Sequence, residues 1–199
     1  MQWKLLTQQQ YLAARWSGGT TTQLAIEPEG AVYAEREFLW RLSSAGVEQD
    51  YSEFTPLPDY NRLLAPLQGQ LELSIEGGRR QVLSPLELCS FDGGAVVESW
   101  GQCTDFNLMV RKGLCQGLAQ ALELAPGSGL VWTAPLPAPK EYPKVTLALY
   151  CVSGQLHLPH EKLTAQAGQL LLCRDGGHSH VAMETQAGAE VMAAVIRRK

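Results

Sequence analysis

The chain has no apolar run approaching the ~18 residues needed to span a bilayer. Its opening residues, Met1-Gln-Trp-Lys-Leu-Leu-Thr-Gln-Gln-Gln10, lack the apolar centre of a secretory signal. Charge is scarce: 18% of the 199 residues are charged, with 16 Lys plus Arg against 20 Asp plus Glu and a net charge of −4. Such a balance supplies no basic field to gather nucleic acid. Five cysteines (Cys89, Cys103, Cys115, Cys151, Cys173) cannot all pair and none stands in a Cys-x-x-Cys, so reduced, buried thiols are expected. Long stretches of Ala, Glu, Lys and Leu are missing, and 19 Gly with 11 Pro punctuate the chain, which argues against a coiled coil or helical bundle. Histidine is absent until position 157. These absences leave a globular, cytoplasmic chain that engages neither membrane nor nucleic acid.

What is present is mostly strand. Phe38-Leu-Trp-Arg-Leu-Ser-Ser-Ala45 and Leu71-Glu-Leu-Ser-Ile75 alternate in the way half-buried strands do. Val145–Val152 is continuously apolar and rich in β-formers, as befits a strand deep in a sheet, and Asp105–Val110 and Val191–Ile196 read similarly. Helical signals are thin: Thr7–Gln10 opens a short helix by a capping box, and Leu114–Leu124 fits either period.

Internal repetition organises these strands. Leu67-Gln-Gly-Gln-Leu-Glu-Leu73 returns as Val152-Ser-Gly-Gln-Leu-His-Leu158, and Leu86-Glu-Leu-Cys-Ser-Phe-Asp-Gly-Gly94 returns as Leu170-Leu-Leu-Cys-Arg-Asp-Gly-Gly177. Asp105–Lys112 has an echo in Glu190–Arg198. Three matches in one order, at offsets of about 83 to 86, point to two units on one plan. The reading is all-β, with two related barrels. The first spans residues 1–123 with an N-terminal extension. A Pro- and Gly-rich connection covers 124–143, and a smaller second barrel covers 144–199.

A Gly turn, a Gly-led strand and an Asp-Gly-Gly turn in succession resemble the cupin jelly roll. Metal-binding cupins converge three His and a Glu on one divalent ion. Laid on this sequence with Gly69 closing the first motif, the Glu position holds Arg62; with Gly154 closing it, the position holds Leu147. The histidine position of the second motif holds Val96 in one unit and Ser179 in the other. A conventional metal centre is therefore not expected, and no cofactor is assigned. The metal alternative is confined to the second unit, at His157, His178 and His180, with His160 nearby.

The order of Trp16-Ser-Gly-Gly-Thr-Thr-Thr-Gln-Leu24, Phe38–Ala45, Ser52-Glu-Phe-Thr-Pro-Leu-Pro58, Arg62, Leu67-Gln-Gly69 and Asp105-Phe-Asn-Leu-Met109 resembles the HutD/Ves family. That resemblance implies a bicupin fold, two jelly-roll β-barrels in one chain. It also implies a place in bacterial histidine utilisation, no catalytic activity, and binding of a small pathway metabolite that moderates flux or expression.

Arg62 is the leading site residue. A fixed cation stands where metal cupins place an anion, an exchange that suits a ligand carboxylate gripped bidentately. A salt bridge to Asp59 or Asp105 explains it equally well. Arg41 alternates with Trp40, and ordinary burial favours Trp40 inward and Arg41 outward, yet Arg41 also stands as a secondary ligand-binding candidate beside Arg62. Asp105 and Asn107 share a strand face and serve either a ligand or a buried network. Thr20, Thr22 and Gln23 follow the Gly18-Gly19 turn and are candidates for the pocket mouth. The resulting expectation is a non-catalytic binder of a small anionic metabolite, with a homodimer among its allowed states. The alternatives are a metal-dependent cupin enzyme and a protein-interaction scaffold.

Overall fold

A computed structural model describes residues 2–136, 140–176 and 180–199. The chain divides into two compact units, one of Tyr11–Leu114 and one of Met1–Gln10 with Cys115–Lys199. Regular structure among the described residues is β-strand plus two short 3-10 turns, so the all-β expectation holds. In chain order the strands are β1 (Trp3–Leu6), β2 (Leu12–Trp16), β3 (Gly19–Glu27), β4 (Trp40–Val47), β5 (Tyr51–Glu53), β6 (Tyr60–Gly69), β7 (Leu71–Ile75), β8 (Gln81–Leu83) and β9 (Cys89–Asp92). They continue with β10 (Val97–Trp100), β11 (Cys103–Arg111), β12 (Cys115–Leu124), β13 (Gly129–Thr133), β14 (Lys144–Leu158), β15 (Leu163–Gln166), β16 (Leu170–Cys173), β17 (His180–Glu184) and β18 (Ala189–Arg198).

The capping box forms, with the Thr7 N–H donating to Gln10 Oε1 at 2.9 Å, but it closes only a 3-10 turn at Gln8–Gln10. The ambiguous Leu114–Leu124 stretch is strand β12, because β18 pairs with it along its whole length.

Strand pairing carries the repeat further than the sequence matches do. β4 pairs β11 as β12 pairs β18, and β5 pairs β10 as β13 pairs β17. β6 pairs β11 and β9 as β14 pairs β18 and β16. β7 pairs β10 and β8 as β14 pairs β17 and β15. Each repeat therefore begins two strands earlier than expected, at β4 and β12 rather than at β6 and β14, and the units divide at Leu114/Cys115 rather than at 123/124. The expected 124–143 connection is not a linker: it contains β13, the counterpart of β5. β1 also belongs with the second unit, where it pairs β16, so the N-terminal extension of the first unit starts at Tyr11.

The sheets are open rather than closed barrels. In the Tyr11–Leu114 unit they are a six-stranded sheet, β2-β3-β4-β11-β6-β9, and a four-stranded sheet, β5-β10-β7-β8. In the other unit β14 runs unbroken for 15 residues where β6 and β7 are separate, and it joins eight strands into one hydrogen-bonded network. Its residues Val145–Cys151 are all buried, which explains their continuous apolarity. All five cysteines are free and buried.

The repeated glycines Gly69 and Gly154 hold the same left-handed conformation, with φ +81° and φ +73°. A Cβ at Gly69 would stand 2.5 Å from the Gln102 carbonyl oxygen, and one at Gly154 would stand 2.0 Å from that of Gly188. Both glycines lie against the backbone of the adjoining strand segment, close to a register shift in the pairing (Thr104/Asp105 and Cys151/Ser153). Gly69→Ala and Gly154→Ala are each expected to destabilise the protein by about 2 kcal/mol or more in denaturant titrations. Gly46→Ala, whose Cβ meets nothing within 4 Å, is expected to stay within about 1 kcal/mol of wild type. Equal effects at all three positions would sink this reading of the turns.

Candidate functional site

Three neighbouring strands of the six-stranded sheet build the site. β11 lies between β4 and β6, and its register sets Arg41, Met109 and Arg62 in one row across the sheet. The next same-face rows are Ser43–Asn107–Leu64 and Ala45–Asp105–Pro66. The opposite face carries Trp40, Leu42, Phe106 and Leu108, all 0–1% exposed. The sheet is thus buried on both faces. Arg41, expected to point outward from a core Trp40, is instead 6% exposed.

The polar rows open onto a cavity of about 350 Å³. Its other walls are Trp16 and Arg15 of β2, Tyr33 of the 3-10 turn Tyr33–Glu35, and Glu53-Phe54-Thr55 after β5. That volume suits a small metabolite.

Arg62 is 7% exposed, and its guanidinium carbon lies 4.8 Å from the Phe54 ring centre and 5.3 Å from that of Phe91. Its Nε is buried without a hydrogen-bond partner. No carboxylate comes within ion-pair distance of it among the described residues, so neither Asp59 nor Asp105 forms the salt bridge that the sequence allowed. Loss of hydration pushes its pKa down to about 10, which leaves it a cation at neutral pH. Burying an ion costs several kcal/mol even after relaxation. Each desolvated ring contact returns about 2 kcal/mol and supplies no hydrogen-bond acceptor to the guanidinium N–H groups. The side chain is therefore short of a partner. The Asp92-Gly93-Gly94 turn packs here: a Cβ at Gly93 would sit 3.4 Å from the Arg62 Cδ.

Arg41 is better satisfied. Its Nε donates to Gln23 Oε1 at 2.8 Å, its Nη1 donates to Ser43 Oγ at 3.2 Å, and its guanidinium lies over Tyr33 at 4.4 Å. Arg36 lies over the same ring at 4.1 Å. Burial lowers the Arg41 pKa too.

Asp105 is 4% exposed and accepts the Ala45 N–H at Oδ1, 3.0 Å away. Desolvation pushes its pKa up to about 7, against the Ala45 hydrogen bond and the attraction of Arg62 and Arg41. Asn107, 6% exposed, has a buried Oδ1 without a partner, so the polar pair is not a closed network.

Strand parity sorts the threonines. Thr21 and Gln23 oppose Ala45 and Ser43 on the site face, whereas Thr20 and Thr22 oppose Gly46 and Ser44 on the other. Thr20 and Thr22 are therefore corrected to Thr21, which lines the cavity. Residues that the sequence reading missed are Trp16, Tyr33, Ser43, Phe54 and Met109. Extending the alternation from Arg41 and Asn107 would have found Ser43 and Met109; nothing in the pattern marks Tyr33.

Among the described residues the histidines do not converge. His157 Nδ1 lies 2.9 Å from Thr164 Oγ1, and His157 pairs in register with Glu184 at one end of β17. His180 begins that strand, about 13 Å away at the usual rise per residue. His160 is exposed in the turn after β14, and His178 lies outside the described residues. No group of three or more His, Cys, Asp or Glu side chains suited to a metal occurs among the described residues. Among those residues, too, no helix is long and apolar enough to cross a membrane.

A carboxyl whose folded pKa is raised stabilises the fold below its unfolded pKa and loses that contribution as pH rises through the folded value. Wild-type stability is therefore expected to fall between pH 4 and pH 7 by on the order of 4 kcal/mol from Asp105. Asp105→Asn should remove this component from a denaturation series over that range. A wild-type slope that persists unchanged in the variant assigns the titration elsewhere.

Comparisons place this fold among known proteins. A conserved protein of unknown function from Pseudomonas aeruginosa PAO1 superposes with a TM-score of 0.79 at 22% identity, over 98% of this chain and 99% of its own. HutD from Pseudomonas fluorescens SBW25, in a structure from a formate condition, superposes at 0.76 and 18% identity over 100% of both chains. A bacterial pirin from Escherichia coli in complex with nickel(II) follows the same fold at 0.67 and 10% identity, over 99% of each chain. No curated protein matches the chain at a significant level. The family model HutD matches residues 8–193, which takes in most of both β units. On that match, the chain belongs to the HutD family.

Proposed function

We propose that this HutD-family protein is a non-catalytic bicupin that binds a small organic acid in the cavity of the Tyr11–Leu114 unit. Arg62 anchors the acid's carboxylate. The observation that carries the reading is Arg62, 7% exposed and lining a 350 Å³ cavity, with no carboxylate in ion-pair range among the described residues. A guanidinium matches a carboxylate bidentately, and such charge-assisted bonds are about twice as strong as neutral ones. Asp105, near half-ionised at neutral pH, offsets little of the positive charge of Arg62 and Arg41. The cavity thus favours an anion within a chain whose net charge is negative.

Family membership supports a more specific role. The acid is an intermediate of histidine degradation, and the protein moderates histidine utilisation in the cytoplasm by reporting its level. Tyr33, Phe54 and Trp16 give the cavity aromatic walls for an unsaturated or extended carbon chain, while Asn107 Oδ1 offers an acceptor to a donor on the ligand.

The test is a thermal-shift titration with histidine, urocanate, formylglutamate and glutamate on wild type and Arg62→Ala. At a hundredfold excess over Kd, binding to the native state adds about 2.7 kcal/mol, which is on the order of 5 °C or more in Tm for a chain of this size. At least one of the four acids is expected to stabilise wild type in this way and to leave Arg62→Ala unmoved. No shift with any acid, or the same shift in both proteins, removes Arg62 from the site.

A further inference from the structure

Two oppositely charged groups share this cavity without pairing. Arg62 on β6 and Asp105 on β11 both line it, yet no ion-pair contact joins them. Asp105 spends Oδ1 on the Ala45 N–H, and Oδ2 has no bonded partner among the described residues. Arg62 and Asp105 stand two same-face rows apart and both line the cavity, and Arg62 is the foremost charge acting on Asp105, so a carboxylate seated on Arg62 brings a second anion into the field of a buried one. Two anions sharing one small cavity favour protonation of one of them. We infer that the acid enters this cavity together with a proton that ends on Asp105, whose carboxyl then donates a hydrogen bond to the ligand carboxylate held by Arg62. This inference rests on the anion-binding reading and adds to it a second ligand-contacting residue and a dependence on pH.

The charges facing Asp105 decide which anion is protonated. Arg62 comes from β6 and Arg41 from β4, while Tyr33 and Arg36 come from the 3-10 turn and Cys103 from β11 itself. Arg15 and Glu53 stand at the cavity lining further out, with Arg15 in an ion pair to Glu48 at 3.5 Å. Arg41 is already engaged by Gln23 and Ser43, so Arg62 is the cation left to the ligand. The ligand carboxylate gains that cation directly, whereas Asp105 has only a backbone N–H and more distant charges. The proton therefore belongs on Asp105. Its pKa, already near 7 in the empty cavity, rises further when a second anion arrives. Above that value the free protein must take up the proton in order to bind, and affinity falls about tenfold per pH unit. Below about pH 6 the dependence flattens until the ligand itself titrates.

Isothermal titration of wild type with formylglutamate and with urocanate at pH 8 reads this directly. Tris and triethanolamine serve as buffers, because they differ in ionisation enthalpy and put no competing anion in the cavity. The expected result is uptake of about one proton per acid bound. Kd should also weaken about tenfold from pH 8 to pH 9. Asp105→Asn, which stays neutral, is expected to bind without proton uptake and more tightly than wild type at pH 9. If an acid binds wild type, and Arg62→Ala abolishes that binding, but the heats agree in the two buffers, the proton inference is wrong and the anion site stands. If neither acid binds wild type, or Arg62→Ala binds as well, both readings fall. The buffer comparison needs wild-type protein alone, so misfolding of Asp105→Asn does not blunt the test.

Discussion

An ion buried without a counter-ion is the constraint around which the Tyr11–Leu114 unit is arranged. Stripping water from the Arg62 guanidinium costs several kcal/mol, and the Phe54 and Phe91 rings together recover only part of it. A fold keeps such a group only if the rest of the structure holds it in place. Here β6 is paired on both sides, by β11 and β9, and the Asp-Gly-Gly turn closes over the Arg62 stem. The same pairing of β11 aligns Arg41, Met109 and Arg62 in one row and puts Asp105 two rows away on the same face. The charge pattern of the cavity is therefore a consequence of strand register. A one-residue slip would exchange the polar face for the Trp40–Leu42–Phe106–Leu108 face.

Much of the architecture was legible because alternation and repetition are written into the chain directly. Asp105 and Asn107 against Phe106 and Leu108 read as two faces of one strand, and the structure has them so. The Gly69 and Gly154 repeats mark turns whose left-handed backbone excludes a Cβ. The boundaries were less legible. β12 and β13 answer β4 and β5 by hydrogen-bond pairing, with little sequence likeness, since many residue choices serve a strand whose partner supplies the order. Pro and Gly around β13 resembled a linker for the same reason. Barrel closure was also invisible, because it depends on whether edge strands meet, and that leaves no local mark.

The site divides along the same line. Strand position alone puts Arg62 and Asp105 on the cavity wall. Thr20 and Thr22 were misplaced because the Thr run offers no polar contrast to set parity, so Thr21 is distinguished only by its opposition to Ala45. Arg41 was given an outward face by average burial preference, which fails for a sheet covered on both sides. Tyr33 and Phe54 come from loops, and tertiary folding alone brings them to the cavity. The histidines are potential ligands by type, yet His157 on β14 faces the Glu184 end of β17 and His180 begins the other end, where it pairs with Thr133.

One proposal supports the others: a ligand carboxylate pairs with the Arg62 guanidinium. The most direct measurement is the nitrogen-15 NMR signal of the Arg62 Nε–H, assigned by its loss in Arg62→Lys and followed during titration with formylglutamate and urocanate. The account predicts that, with at least one of these acids, the signal moves downfield and becomes protected from solvent exchange, while the exposed Arg80 signal stays in place. An acid that saturates the protein and leaves the Arg62 signal unmoved would contradict it.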